Sequence, residues 1–183
     1  MTCIIGIRTN DKVFIGGDSA GVAGYSISTR ADQKVFKNGE FIFGFTSSFR
    51  MGQILEYKFT PPPRHPETPI YKYMVTDFVD GIRAMFKDCG YMRKNNEVEQ
   101  GGSFLVGVEN RLFQIASDFQ VAENIDPYNA TGCGEDIAFG ALHVLKPKFK
   151  TDEDIHECLM LALEAAAYHS AGVRGPFTIV QTL

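Results

Sequence analysis

The second residue of the chain is a threonine, which directly precedes an apolar segment in the N-terminal stretch MTCIIGIR. Removal of Met1 would give Thr2 a free α-amine beside its own hydroxyl. A threonine hydroxyl is a weak nucleophile near neutral pH and needs a base. An α-amine has an intrinsic pKa of about 7.7–8, far closer to neutral pH than a lysine side chain at about 10.4. Thr2 could therefore supply both a nucleophile and its base, and positioned proton transfer of this kind contributes roughly 10²–10⁴-fold in rate.

Two charged residues lie at the ends of predicted strands, where they could support such a residue. Asp18 ends the second predicted strand in IGGDS, and Lys34 begins the third in DQKVF. A nearby cation keeps an amine unprotonated by like-charge repulsion. Taken alone, each residue also has an ordinary structural explanation: Thr2 as an incidental N-terminal residue, Asp18 as a turn former and Lys34 as a solvated strand residue.

Composition limits the class of protein. The chain has 183 residues, 44% hydrophobic and 22% charged, which predicts one globular domain over residues 1–183. Its net charge is −4 and it has no long basic run, so nucleic acid is not an expected partner. No apolar run is long enough to cross a membrane and no signal peptide precedes the first strand, so a membrane is not expected either.

The metal-binding residue types are scattered. The four cysteines form no CxxC pair, and the four histidines show no metal-ligand spacing: Cys3, Cys89, Cys133 and Cys158, and His65, His143, His156 and His169. This spacing indicates free thiols in a reducing compartment, the cytoplasm, with no metal site and no cofactor.

Strand and helix patterns alternate in blocks along the chain. CIIGIR and VFIGGD form one predicted hairpin, and QKVFKNGEFIFGFT forms another around Asn38-Gly39. Two predicted helices follow, then the hairpin of SFLVGV and RLFQIAS, then two more helices and the final strand FTIVQTL. Ser48 and Thr151 mark where the first and last of these helices begin. This order predicts an α+β fold of antiparallel sheets faced by helix pairs, a four-layer αββα sandwich.

The N-terminal segment MTCIIGIRTNDKVFIGGDSAGVAGYSISTRADQKVFK resembles the start of a proteasome β-type subunit, above all the bacterial HslV form. The threonine, aspartate and lysine keep the family's separations without a gap. The later segments GFTSSFRMGQIL, SFLVGVENRLFQI and ATGCGEDIAFGAL follow the family in order, so the resemblance covers nearly the whole chain. It implies the fold of the N-terminal nucleophile hydrolases.

The resemblance implies a role for each of several residues. Thr2, freed of Met1, would be nucleophile and base. Lys34 would keep the amine neutral and favour the alkoxide, and Asp18 would be the ion partner of Lys34 and orient the N-terminus. The backbone N–H of Ser47, where the family usually has glycine, would be the oxyanion donor.

The resemblance also implies substrate contacts, and the chain departs from the family in two places. Val22 would lie along the substrate backbone, and Phe45 would form the floor of a shallow, apolar specificity pocket. Cys133 replaces the serine of the family's Gly-Ser-Gly, so a thiol replaces a hydroxyl near the amine. Ser170 matches the end of a C-terminal Asp-x-x-Ser motif, but Ala167 replaces the aspartate.

The implied function is that of a self-compartmentalising threonine endopeptidase. Such a protein assembles into homo-oligomeric stacked rings with inward-facing sites and receives unfolded polypeptide from a hexameric ATPase. Because this chain contains no nucleotide-binding loop, the ATPase would be a separate chain. Two alternatives remain open: a catalytically silent ring subunit, and an N-terminal-nucleophile amidase that acts on a small molecule as a monomer or dimer.

Overall fold

Thirteen β-strands form two antiparallel sheets and two separate hairpins in the computed structural model, which describes residues 1–183. The four-stranded sheet contains, in spatial order, β12 (Tyr128–Gly132), β1 (Cys3–Arg8), β2 (Val13–Gly17) and β13 (Thr178–Gln181). The five-stranded sheet contains β11 (Val121–Ala122), β10 (Arg111–Ile115), β9 (Phe104–Val108), β6 (Phe41–Phe45) and β5 (Val35–Asn38). The separate hairpins pair β3 (Ala20–Ala23) with β4 (Ser26–Thr29), and β7 (Arg93–Asn95) with β8 (Val98–Gln100).

Five α-helices cover the sheets. They are α1 (Phe49–Tyr57), α2 (Ile70–Tyr73), α3 (Val79–Asp88), α4 (Glu135–Leu145) and α5 (Asp152–His169). A π-helical turn, Met74–Phe78, joins α2 to α3, and a 3-10 turn, Lys146–Lys148, follows α4. Ser48 caps α1 by accepting from the Arg50 N–H, and Thr151 begins α5 with a capping box that Asp154 completes. Both helix starts are therefore as the sequence predicts.

Alternation of side chains along the strands separates three apolar layers. In β1, Ile5 and Ile7 face the helix layer of α4 and α5, whereas Ile4 faces the other sheet. In β6, Phe43 faces α1 to α3, whereas Ile42 faces β1 and β2. Successive strand residues point to opposite faces, so each sheet buries both of its faces. The resulting order of layers is helix, sheet, sheet, helix, which confirms the predicted αββα sandwich.

The two sheets approach each other closely because small residues line their interface. A Cβ at Gly44 would lie 2.5 Å from the Ile4 side chain and 2.7 Å from the Ile15 side chain. Seven buried aliphatic residues fill the layer between the sheets: Ile4, Val13, Ile15, Val35, Ile42, Leu105 and Leu112. This contact fixes β1, β2 and β5 relative to one another, and these strands position the site described below.

The structure contains two hairpins that the sequence pattern does not predict. β3–β4 turns at Gly24, whose φ is +57°, and all of its strand residues except Ala20 are exposed or half-buried. β7–β8 turns at Asn96 and Glu97, both at positive φ, and is almost wholly polar. Neither hairpin buries an apolar face, so neither has the alternation that marks a strand in sequence. No helix in the structure combines the length and the apolar character needed to cross a bilayer.

Candidate active site

Thr2 lies immediately before β1 and is only 4% exposed. Its carbonyl accepts a hydrogen bond from the Gly134 N–H at 3.3 Å. Gly132, which ends β12, has a φ of +108°, and a Cβ there would lie 2.3 Å from the Thr2 carbonyl oxygen. A side chain at position 132 would therefore push the end of β12 away from Thr2. The glycine lets the loop before α4 close over the N-terminus.

A chain of hydrogen bonds joins Thr2, Lys34 and Asp18. The Lys34 Nζ donates to the Thr2 Oγ1 at 2.8 Å and to the Asp18 Oδ1 at 2.8 Å. Lys34 immediately precedes β5 and Asp18 immediately follows β2, so the sandwich brings together residues far apart in sequence. The side chains of Lys34 and Asp18 are 1% and 0% exposed, which makes this a fully buried ion pair.

The Asp18 carboxylate also accepts hydrogen bonds from three backbone N–H groups. Oδ1 accepts from the Cys3 N–H at 3.0 Å, and Oδ2 accepts from the Ala20 N–H at 2.9 Å and the Arg174 N–H at 3.3 Å. A buried ion pair is stable only when such further hydrogen bonds offset the loss of water. Asp18 thus ties the start of β1 to β3 and to the loop before β13, in addition to holding Lys34.

Burial governs the acid–base properties of this cluster. It lowers the pKa of Lys34 below the usual value of 10.5, and the neighbouring Asp18 carboxylate opposes that change. Burial also raises the pKa of the Cys3 thiol to about 12. A thiol with that pKa stays protonated at neutral pH, which makes Cys3 a poor nucleophile.

A small cavity of about 70 Å³ opens beside the Thr2 hydroxyl. Its lining consists of Met1, Thr2, Ala20, Val22, Lys34, Phe45, Thr46, Ser47, Ser48 and Phe49. The structure therefore brings the two residues expected to contact substrate, Val22 and Phe45, into one cavity with Thr2, Lys34 and Ser47.

The backbone at Ser47 leaves one N–H without a partner. The Thr46 N–H donates to the Ser103 carbonyl at 3.0 Å and the Ser48 N–H donates to the Thr46 carbonyl at 2.7 Å, but the Ser47 N–H donates to no protein atom. Ser47 is exposed and has a φ of +67°, a region that glycine occupies most easily. The turn therefore presents a free donor in the residue that lines the cavity with Thr2.

Cys133 and Ser170 lie on the nitrogen side of Thr2. The Thr2 N–H donates to the Cys133 Sγ at 3.2 Å, and Cys133 Sγ lies 3.4 Å from the Ser170 Oγ. The Glu135 carboxylate accepts from the Gly132 N–H at 2.9 Å and so holds the turn that carries Cys133. All six residues expected in the catalytic group are thus close to Thr2 or line its cavity.

Met1 occupies the remaining side of Thr2. It is 59% exposed, and its carbonyl accepts a hydrogen bond from the Thr2 hydroxyl. A Cβ at Gly172 would lie 2.3 Å from the Met1 Cβ, so the glycine makes room for Met1 against the loop that follows α5. While Met1 is attached, the Thr2 nitrogen is an amide and cannot act as a base.

Comparison with known proteins places the fold of this chain in a structural group. Neither a family model nor a curated protein sequence matches the chain. Solved structures do match it, beginning with BPH from Thiobacillus denitrificans in complex with epoxomicin, at 18% identity and a TM-score of 0.79 over 98% of this chain and 97% of that one. The chain has the proteasome β-type fold.

Two further structures of this fold cover the chain equally well. HslV from Trypanosoma brucei matches at 16% identity and a TM-score of 0.68, over 98% of each chain. An Anbu variant from Hyphomicrobium sp. strain MC1 matches at 16% identity and a TM-score of 0.72, over 98% of this chain and 80% of that one. The predicted resemblance to the proteasome β-type and HslV structures is confirmed at the level of the fold.

Sequence reasoning missed several residues of the site. Phe49 lines the cavity, and its ring centroid lies 5.7 Å from the Lys34 Nζ and 4.2 Å from the Arg30 guanidinium. Arg174 contributes its backbone N–H to Asp18, and Glu135 contributes its side-chain carboxylate to the Gly132 N–H. For Phe49 a sequence signal existed, since it directly follows the helix cap Ser48. Both of these contacts involve a main-chain N–H, of Arg174 itself in one case and of Gly132 in the other, and such contacts leave no pattern in sequence.

A second, larger cavity of about 370 Å³ lies next to the first. Phe45 and Phe49 belong to the lining of both cavities, and the larger one adds the polar side chains of Asp32, Gln53 and Glu56. The Phe45 ring packs directly on Gly52, where a Cβ would lie 2.1 Å from a ring carbon. Phe45 therefore sits in a fixed position at the boundary of the two cavities.

Proposed function

We propose that this protein is a threonine peptidase whose nucleophile is Thr2, exposed by removal of Met1. The observation that carries the proposal is the buried chain of hydrogen bonds from Asp18 through Lys34 to the Thr2 hydroxyl, which ends at a cavity. A buried lysine and carboxylate are costly to maintain, and pKa values perturbed by burial cluster at functional sites. The shared fold with HslV and BPH supports the same conclusion.

The reaction follows from the positions of these groups. The Thr2 Oγ1 attacks a peptide carbonyl carbon while its proton passes to the free α-amine. The Lys34 ammonium, 2.8 Å from Oγ1, stabilises the developing alkoxide. The carbonyl oxygen becomes an oxyanion that accepts a hydrogen bond from the free Ser47 N–H, a contribution of about 10²–10³-fold in rate. The α-ammonium then protonates the departing amine, leaving an ester on Thr2, and water activated by the α-amine hydrolyses this ester.

Supporting residues would hold the amine in place. With Met1 gone, the α-amine keeps Cys133 as its neighbour at the Thr2 nitrogen, and Ser170 lies behind the thiol. A thiol is a weaker hydrogen-bond partner than a hydroxyl, so Cys133 orients the amine less firmly than serine would.

The assembly is part of the proposal. A single exposed peptidase domain would cleave proteins indiscriminately, so we propose homo-oligomeric stacked rings with Thr2 facing inward. The substrate would be unfolded polypeptide, delivered by a separate hexameric ATPase. The native mass tests the rings, since each chain contributes 20.3 kDa. A monomer or dimer would instead favour an amidase that acts on a small molecule.

The decisive experiment combines intact mass with peptide hydrolysis. We expect a preparation lacking Met1 to hydrolyse fluorogenic peptides, and both Thr2→Ala and a preparation that retains Met1 to be inactive. Thr29→Ala, which changes an exposed threonine on β4, is the matched control and should keep full activity. Epoxomicin, bound in the Thiobacillus denitrificans structure, should raise the melting temperature of the Met1-free protein but not that of Thr2→Ala. An inactive protein with Thr2 exposed would identify a silent ring subunit instead.

A further inference from the structure

A third cavity, of about 360 Å³, lies at the other end of β1 from Thr2. Six residues of β1 separate the two ends, which corresponds to about 20 Å along an extended strand. Its volume falls within the range of about 300–1,000 Å³ found for small-molecule sites. None of the residues assigned to the peptidase site lines it, so it requires a separate explanation.

The lining of this cavity is rich in cations. Arg8, Lys146 and Lys150 all contribute, against a single lining carboxylate, Asp11. Asp11 already accepts a hydrogen bond from the Thr9 hydroxyl at 2.8 Å. The protein as a whole carries a net charge of −4, so the positive charge of this cavity is opposite in sign to that of the whole protein.

The three cations differ in whether a carboxylate of the protein pairs with them. The Lys146 Nζ pairs with the Asp126 carboxylate at 2.6 Å, but neither Arg8 nor Lys150 forms an ion pair with any carboxylate in the chain. When Asp126 is counted with the lining carboxylate Asp11, the three lining cations outnumber these two carboxylates by one. The excess charge belongs to Arg8 and Lys150, which approach the cavity from different elements.

Arg8 also carries the one unsatisfied buried polar side-chain atom in the protein. Its Nη2 donates to the Ile125 carbonyl at 3.0 Å, whereas its Nε is buried and has no hydrogen-bond partner. Leaving a buried donor unsatisfied costs about 1–3 kcal/mol, and every other buried side-chain nitrogen or oxygen in the chain has a partner. The Arg8 guanidinium therefore requires an acceptor that the fold itself does not supply.

We propose that this cavity binds a phosphate group, held by Arg8 and Lys150. The planar guanidinium fork matches two oxygens of a tetrahedral oxyanion, and charge-assisted bonds of this kind are the strong ones. Lys150 contributes a mobile point charge from the chain that follows the 3-10 turn, and the Thr9 and Asn10 side chains line the same cavity. The phosphate is either free or part of a nucleotide, whose base would find the Phe149 ring in the lining.

Isothermal titration of the full chain with inorganic phosphate tests the proposal, with chloride at equal ionic strength as the reference anion. We expect saturable binding of phosphate and none of chloride. Lys150→Met should weaken binding about tenfold, the loss of one charge-assisted contact, and Lys150→Arg should restore most of it. Lys94→Met, which removes an exposed lysine on the distant β7, should bind phosphate as the unaltered protein does. Adenosine monophosphate in a parallel titration separates the two sources: tighter binding than phosphate assigns a nucleotide, and equal or weaker binding assigns free phosphate.

A second variant, checked for folding, shows whether a loss of phosphate binding comes from the altered side chain or from misfolding. Arg8→Gln keeps a polar side chain with hydrogen-bond donors but removes the charge, and we expect it to fold and its affinity for phosphate to fall about tenfold or more. Circular dichroism and the melting temperature establish that the variant is folded. Absence of saturable phosphate binding by the unaltered protein would overturn the proposal. Unchanged binding by both Lys150→Met and a folded Arg8→Gln would overturn it as well.

Discussion

The Lys34 ammonium lies 2.8 Å from the Thr2 hydroxyl, although 32 residues separate them in the chain. The same ammonium lies 2.8 Å from the Asp18 carboxylate, so one buried cation serves both a structural ion pair and the proposed nucleophile. Variants of Lys34 and Asp18 should therefore affect stability and activity together, whereas variants elsewhere in the site should separate the two.

Lys34→Met should abolish most of the activity. It removes the charge that favours the Thr2 alkoxide, and we expect the hydrolysis rate kcat to fall at least about 100-fold, in line with the loss of one preorganised electrostatic contact. Lys34→Arg keeps the charge with a different shape and should recover part of the rate. Equal kcat values for Lys34→Met and the unaltered protein would remove Lys34 from the mechanism.

The pH dependence of Lys34 should have opposite signs for activity and stability. Burial lowers its pKa below 10.5, so as pH rises through the folded-state pKa the ammonium loses its proton and kcat should fall. Between the folded-state pKa and pH 10.5, the unfolded chain holds the Lys34 proton more often than the folded chain does. The free energy of unfolding should therefore rise with pH over this interval, and this gain is lost as pH falls through the folded-state pKa. The difference in unfolding free energy between the unaltered protein and Lys34→Met, measured from pH 7 to pH 11, isolates this contribution. A difference that falls with rising pH would contradict the expected direction.

Asp18→Asn should destabilise the protein by about 3–5 kcal/mol, because it leaves the Lys34 cation buried without a counter-charge. An amide NH₂ would also face the N–H groups that now donate to the carboxylate. Denaturant unfolding measures the change. The double variant Asp18→Asn/Lys34→Met should cost less than the sum of the two single variants, since no unpaired charge remains. Additive costs would show that the two residues act independently.

The sequence predicts where Thr2, Asp18 and Lys34 lie better than it predicts the groups that surround them. Thr2, Asp18 and Lys34 occupy strand ends, and the strands that carry them are strongly patterned. The partners that complete the site are main-chain groups, such as the N–H groups of Ala20 and Arg174, and any residue type can supply them. Backbone geometry of this kind depends on tertiary contacts and leaves no trace in a single sequence.

Cys133→Ser should raise kcat several-fold. A hydroxyl accepts and donates stronger hydrogen bonds than a thiol, so serine should hold the α-amine of Thr2 more firmly. We expect iodoacetamide to inhibit the proposed activity of the unaltered protein but not that of Cys133→Ser, because Cys133 is the exposed cysteine beside Thr2. Cys89→Ser is the control and should change neither property. Continued inhibition of Cys133→Ser by iodoacetamide would place the sensitive thiol elsewhere.

Phe45→Ala should change which peptides are cleaved. The ring lies between the small cavity at Thr2 and the larger one beyond it, so its removal should let large side chains enter. Two peptides are compared, one with an aromatic residue and one with alanine on the acyl side of the scissile bond. We expect the kcat/KM for the aromatic peptide, divided by that for the alanine peptide, to rise about tenfold or more in the variant. Phe41→Ala is the matched control, since it also truncates a buried phenylalanine of β6 but lines neither cavity. A similar shift in both variants would show that the effect comes from general loosening of the core and not from the position of Phe45 between the two cavities.

The proposed phosphate site illustrates a second limit of prediction from sequence: its charged residues are far apart in the chain. Lys146 and Lys150 are too few and too spaced to form a basic run, and Arg8 comes from the first strand of the chain. Only the packing of β1 beside the turn after α4 brings them together. Charge counted along the sequence therefore excludes long polyanions but says nothing about a cavity assembled from distant segments.

The placement of Thr2 at the head of β1 has a consequence for how the proposed activity is lost on heating. β1 is paired on both sides, by β12 and β2, and packs between two apolar layers. Its amide hydrogens should be among the slowest in the protein to exchange with solvent, because they open only when the whole domain opens. The proposed nucleophile thus lies at the end of a strand that we expect to be among the least mobile in the molecule, so the substrate would have to adapt to it. On heating, we expect catalysis to persist up to the cooperative melting transition and to disappear with it, with no earlier phase of partial inactivation.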